Sequence, residues 1–452
     1  MEPSISSVVG RGTFYLAVTT VVLKIASLVS VLLVLNYLTV REYGIAELVI
    51  TLVPLLSLFL LPGLNTTVIA DAGIEKARGN YAGVKGLLLN YLQLQSLFAV
   101  CVWVAVFFGA SMLATWYGKG NLAPLIQIVS FGFLLSPLRS FVQVFQRVYL
   151  QFSQQSVFSV LEEAWKLALL GFFFFGLHWR VEGLLAAAVL SQALALICIL
   201  PYFLRIDRSL WRVTGERLRF WHFLYLHGKW GVFSTYLGTV GKNIRPWIIG
   251  FFLGTEAVGL YAVVMGLVGH ATSLFPLEQV MSPVLPQYLS DKERFYRLIA
   301  KAVKYQFLGY ALISIPAAFF SPWFFAWLFP QYVPAVPLFQ VMLLLLTSIA
   351  FDAIFSGAFY ALRAQRSLFF ASVYKLLLTA LLTPVFLIFF GFFGIAYAVI
   401  TINYLYVFER YITLKRLLPG FRLRARDFFT IDEYDQFVIK KFSQALIRIF
   451  KI

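Results

Sequence analysis

The chain alternates between long apolar runs and short polar ones. About twelve runs approach the roughly 20 residues a helix needs to cross a bilayer core: 11–38, 45–71, 86–110, 122–147, 156–178, 182–204, 230–253, 256–286, 302–328, 334–361, 368–390 and 392–414. Stretches such as Leu167 to Leu177 are apolar on every face, unlike the alternating strands of an outer-membrane barrel. The first run, Thr13 to Leu38, is longer than the apolar part of a signal peptide and many more follow it, so it reads as a retained first helix. The pattern predicts an all-α polytopic membrane protein.

Composition points the same way. Hydrophobic residues make up 61% of the 452 positions and charged residues only 13%, against roughly 45–50% and about 25% in a soluble domain. The two cysteines, Cys101 and Cys198, lie inside apolar runs, which predicts inert packing rather than a disulfide framework. His222 and His227 are closely spaced but have no cysteine pair upstream, so no metal site is predicted. No catalytic signature and no Gly-rich nucleotide loop stands out, so neither an enzyme nor ATP-driven transport is indicated.

The net charge of +17 is distributed as topology rather than as a nucleic-acid surface. With the N-terminus inside, the inner loops hold Lys76, Arg78 and Lys85, then Arg205 to Lys229, then Lys292 to Lys304, then Arg363 and Arg366, while the outer loops hold little beyond Arg41, Lys119 and Arg180. That asymmetry predicts a multi-pass protein of the cell membrane with both termini cytoplasmic. The basic loops would also attract anionic membrane lipids.

The longest inner connection splits the runs six and six, and the halves echo each other. Pro124-Leu125-Ile126-Gln127-Ile128 matches Pro337-Leu338-Phe339-Gln340-Val341, a shift of 213; Gly44 falls beside Gly259, a shift of 215; Pro62 falls beside Pro276, a shift of 214. An even number of spans per half makes the copies parallel, related by a pseudo-twofold axis along the membrane normal, with substrate between them. The expected domains are an N-terminal six-helix lobe at 1–204, a cytoplasmic linker at 205–229, a C-terminal six-helix lobe at 230–415 and a basic amphipathic tail at 416–452.

Charges within the runs mark candidate function, because each costs at least about 2.5–3.5 kcal/mol at mid-bilayer. Lys24 follows Thr13 and Thr20 and precedes Ser27 on one stripe of the first helix, and Thr235, Gly238, Lys242 and Arg245 form a similar stripe on the seventh. The 215 shift carries Lys24 to 239, one turn from Lys242. With Arg139 on the fourth helix, these cations are the candidate substrate-binding residues for an anionic group. Asp352, the counterpart of Arg139, is a candidate ion-pair partner for it across the lobes. Glu278 and Asp352, with the helix breaks at Pro62 and Pro276, are the candidate coupling and gating residues, Glu278 because it stands beside a broken helix. Glu162 and Glu163 are spaced to pair locally with Lys166, and Lys375 reads as a snorkelling lysine.

Gly10-Arg11-Gly12-Thr13, the segment Leu38-Thr39-Val40-Arg41-Glu42-Tyr43-Gly44 and its echo Leu253-Gly254-Thr255-Glu256-Ala257-Val258-Gly259-Leu260-Tyr261 resemble the polysaccharide transporters of the multidrug/oligosaccharidyl-lipid/polysaccharide (MOP) superfamily, Wzx-type flippases among them. The resemblance covers about residues 8 to 415. It implies a MATE-like fold and a polyprenyl-diphosphate-linked oligosaccharide, an O-antigen or exopolysaccharide repeat unit, moved to the outer leaflet by alternating access through a cationic cavity. Glycosyltransferases and a glycan polymerase of the same pathway are the implied partners, and a proton or sodium gradient the candidate driver, with no cofactor. The alternatives are a membrane glycan polymerase or glycosyltransferase, disfavoured by short outer loops, and a drug or lipid II exporter of the same superfamily.

Overall fold

The computed structural model describes residues 5–60, 64–117, 122–206, 229–274, 277, 281, 285–289, 291–362 and 364–423. Among them there is no strand. The helices are α1 (Ile5–Tyr37), α2 (Val40–Leu56), α3 (Leu64–Ala77), α4 (Tyr81–Trp116), α5 (Leu122–Val148), α6 (Phe152–Gly171), α7 (Val181–Ile206), α8 (Lys229–Asn243), α9 (Arg245–Thr272), α10 (Lys292–Leu328), α11 (Val336–Met342), α12 (Leu345–Ala361) and α13 (Gln365–Leu417). Pro62, Pro276, Glu278, most of the expected linker and most of the expected tail lie outside the described residues.

Eight described helices are long and apolar enough to cross a membrane, and the pair Pro330–Met342 and Leu345–Ala361, bent by 51°, makes a ninth. Two of these segments double back on themselves. Residues eight apart on one helix are about 12 Å apart, yet a Cβ on Gly250 would stand 3.1 Å from the Val258 side chain. The reversal falls at Gly254, whose φ of 86° favours glycine. Gly391, with φ 55°, reverses α13 in the same way, and the Phe390 and Tyr397 rings meet at 5.4 Å beyond it. With α6 and its π turn Phe172–Gly176, the segments match the twelve runs read from hydropathy.

The helices form the two lobes of the expected fold. The first-lobe core joins Leu38, Ala46, Phe133, Leu170 and Phe174. The second joins Val258, Phe325, Tyr332, Phe339 and Leu346 and takes in Leu35 and Leu48 from the first lobe, so the cores merge along a seam. Large side chains point outward around the bundle, with Trp116 at 90% and Trp327 at 82% exposure, as a hydrocarbon environment permits. Cys101 and Cys198 are also exposed, so the expectation that they pack inside is corrected: an apolar run in a membrane helix need not face protein.

The seam is built on glycine. A Cβ on Gly44 would overlap the Thr255 carbonyl, and one on Gly259 would overlap the Val40 carbonyl, so α2 and α9 cross with their backbones in contact. These two glycines correspond in the internal repeat, and equivalent positions touch each other only near the axis that relates the copies. Beside them, the Tyr117 hydroxyl donates to the Trp247 carbonyl at 2.8 Å and the Tyr332 hydroxyl to the Leu38 carbonyl at 3.4 Å.

The segment Leu38 to Gly44 therefore has two physical jobs. Thr39 and Glu42 form a capping box at the start of α2, the Thr39 amide donating to Glu42 Oε2 at 2.9 Å. The same carboxylate accepts two bonds from Arg180 Nη1, at 2.7 and 2.8 Å, tying α2 to the start of α7. Gly44, one turn on, then meets the other lobe.

Candidate functional site

The second lobe holds a partly open cavity of about 330 Å3 between α8, α9, α12 and both arms of α13, mostly apolar in its lining but including Lys242, Arg245, Asp352, Lys375, Asn403 and Tyr406. Arg245 opens α9, is buried, and donates to the Tyr261 hydroxyl at 3.3 Å. Lys242, one turn earlier, is exposed and within electrostatic reach of Glu47 on α2. Lys375 is held over the Tyr406 ring, its Nζ 4.3 Å from the centroid, and feels the charge of Arg245. The reading of Lys375 as a snorkelling lysine is thus corrected: it turns into the bundle.

Asp352 does not meet Arg139. Its carboxylate accepts from Arg410 Nη1, which also donates to the Ser356 hydroxyl at 2.9 Å, and the Arg410 guanidinium lies 5.2 Å from the Phe359 ring centre and 5.1 Å from that of Tyr406. The Arg410 side chain is 2% exposed. A buried cation needs a paired carboxylate and hydrogen-bond acceptors, and Asp352 and Ser356, one turn apart on α12, both accept from Nη1. Arg139 instead donates from Nε to Glu162 Oε2 at 3.1 Å within the first lobe. Glu163 accepts from Lys166 at 3.2 Å and from the Ser30 hydroxyl at 3.1 Å, so the local pair expected for Lys166 forms with Glu163. The cross-lobe pairing of Arg139 with Asp352 fails because each finds its partner on a neighbouring helix of its own lobe.

Lys24 is not in the second-lobe cavity. Its Nζ reaches across the seam and donates to the Ser273 carbonyl at 2.8 Å. Ser273 caps the C-terminus of α9, where unpaired carbonyls give a helix its negative end. Of the eight candidate residues, then, Lys242, Arg245 and Asp352 come together, Lys24 and Arg139 stand apart, and Glu278, Pro62 and Pro276 are outside the described residues. Arg410 and Glu47 escaped the sequence reading. Arg410 sits near the inner end of the last run, where a cation is ordinary topology, and Glu47 follows the capping box closely enough to pass as part of a polar helix start. No group of three or more metal-ligating side chains exists among the described residues.

The architecture defines a class. An inward-facing multidrug-resistance MATE-family transporter of the MOP superfamily superposes with a TM-score of 0.74 at 14% identity, over 86% of this chain and 93% of that chain. The lipid II flippase MurJ in an inward closed conformation gives 0.71 at 13% identity, over 91% of this chain and 88% of that one. An outward-facing MATE-family transporter gives a lower score, 0.65, at 12% identity over 92% and 96%. This is the fold of MOP-superfamily transporters. The description "polysaccharide biosynthesis protein" belongs to the family whose profile matches residues 9–289, more than half of the chain, and the chain is a member of that family. No curated protein sequence matches it.

Proposed function

We propose that the protein moves a polyprenyl-diphosphate-linked oligosaccharide, such as an O-antigen or exopolysaccharide repeat unit, from the cytoplasmic to the outer leaflet of the cell membrane. The observation that carries this reading is the charge of the second-lobe cavity: Lys242, Arg245 and Lys375 converge on it, while its carboxylate Asp352 is already held by Arg410. Such a cavity favours an anion and repels an organic cation. Membership of the polysaccharide biosynthesis family supports a glycan as the rest of the cargo. Lys24 and Arg139 complete the set of candidate cations, Lys24 from the seam and Arg139 from the first lobe.

Both termini face the cytoplasm in this reading, so the seam at Gly44 and Gly259 closes the outer end. The greater similarity to the inward-facing than to the outward-facing transporter agrees with that assignment. Cysteine introduced at Lys119 should react with a membrane-impermeant thiol reagent on intact cells and cysteine at Ser209 should not; the opposite pattern would invert the topology.

In proteoliposomes, a fluorescent lipid-linked oligosaccharide should cross between leaflets only when the protein is present. Absence of movement with this cargo, together with movement of an organic cation, would replace the reading with drug export. A proton or sodium gradient should accelerate the parent protein but not Glu278→Gln if Glu278 couples transport to that gradient, with Asp352 the second candidate.

A further inference from the structure

Lys24 of α1 leaves its own lobe to bond the Ser273 carbonyl at the end of α9. The Ser273 contact lies fourteen residues beyond Gly259, about 21 Å along α9 from the glycine crossing.

The geometry points to Lys24 as an inter-lobe latch that an anionic group on the cargo releases. The inference rests on the anionic-substrate reading above and adds a role for Lys24 that simple substrate binding does not include. A charged ammonium inside the bundle must have a partner. In the present arrangement that partner is a neutral carbonyl carrying only the partial charge of a helix end. A phosphate oxygen carries a full negative charge and attracts the ammonium more strongly than the partial charge of a carbonyl does. A diphosphate arriving at the seam therefore outcompetes Ser273 for the ammonium and removes this polar tie between the lobes. A ligand shifts such an equilibrium only through its preference for one arrangement. The exchange supplies that preference when the phosphate binds where Lys24 cannot reach it without letting go of α9.

The test measures lobe separation directly. With Cys101 and Cys198 changed to serine, spin labels at Arg147→Cys and Lys415→Cys, both exposed ends of helices in different lobes, report the distance between lobes by pulsed electron resonance in nanodiscs. Without ligand, Lys24→Met should enlarge the minor population of distances by about threefold or more, and Lys24→Arg should restore the parent distribution. Prenyl diphosphate added to the parent should reproduce the Lys24→Met distribution and should leave Lys24→Met itself unchanged.

An unaltered distribution in Lys24→Met, with or without a lower melting temperature, would reduce the contact to a structural helix cap and overturn the latch. Binding of prenyl diphosphate, followed separately by a labelled analogue, keeps the two readings apart. A parent that binds the analogue without a change in distance refutes the latch alone. A parent that binds none refutes the substrate reading and the release step with it, while a shift in Lys24→Met would still mark the contact as the tie between lobes.

Discussion

The two lobes treat their intramembrane charges in different ways. The first lobe pairs Arg139 with Glu162 and Lys166 with Glu163. The second lobe pairs Arg410 with Asp352 and leaves Lys242, Arg245 and Lys375 around a cavity with no second carboxylate among its lining residues. The choice of partner on neighbouring helices ties up these first-lobe charges and leaves the second-lobe cations around a cavity. The difference shows that charge within a membrane helix has no fixed meaning. Arg139 and Arg245 both lie in apolar runs, but Arg139 is held by a carboxylate while Arg245 bonds a tyrosine hydroxyl.

Breaking the second-lobe pair should have the largest effect. Asp352→Asn strands the buried guanidinium of Arg410, and removing one member of a buried pair costs about 3–5 kcal/mol. The melting temperature in detergent should fall sharply, and adding Arg410→Met should recover much of the loss. In the first lobe the Arg139 side chain is 40% exposed. Glu162→Gln should therefore cost less than about 1 kcal/mol, and an equal loss at both sites would erase the contrast between the lobes.

A smaller effect is expected at the axis. Gly44→Ala places a methyl group against the Thr255 carbonyl, and overpacking against backbone costs about 1–3 kcal/mol. Gly266→Ala, where nothing lies within 4 Å of the added carbon, should leave stability unchanged or raise it by up to about 1 kcal/mol. Glycan export should follow the same order in cells, lost with Gly44→Ala and retained with Gly266→Ala. Lys166→Gln should have the smallest effect of all, since it removes one half-exposed ion pair and leaves Glu163 bonded to Ser30.

The twelve runs and the internal repeat were legible because hydropathy and repeat offset are properties of the sequence itself. Gly44 and Gly259 could be aligned, but nothing in the alignment says that equivalent residues touch; that requires the axis to pass between them. The cations of the seventh run were legible because Lys242 and Arg245 stand three residues apart in one apolar stretch. Lys375 and Arg410 were not, because a cation near the inner end of a run reads equally as topology, and only tertiary packing turns one toward Tyr406 and the other toward Asp352. Lys24 was legible as an anomaly but not as a bond to Ser273, since a lysine's reach across a lobe boundary leaves no local signal.

The central claim, that the second-lobe cavity receives an anionic lipid-linked cargo, is tested most directly by the affinity of purified protein in nanodiscs for prenyl diphosphate. Parent protein and Lys242→Gln, Lys375→Gln and double variants are compared at two ionic strengths. Each charged hydrogen bond lost should weaken binding about tenfold or more, the double variant should bind least, and a neutral prenol should bind all four proteins equally weakly. Tight binding of prenyl diphosphate that is the same in the parent and the double variant, and insensitive to salt, would contradict the account.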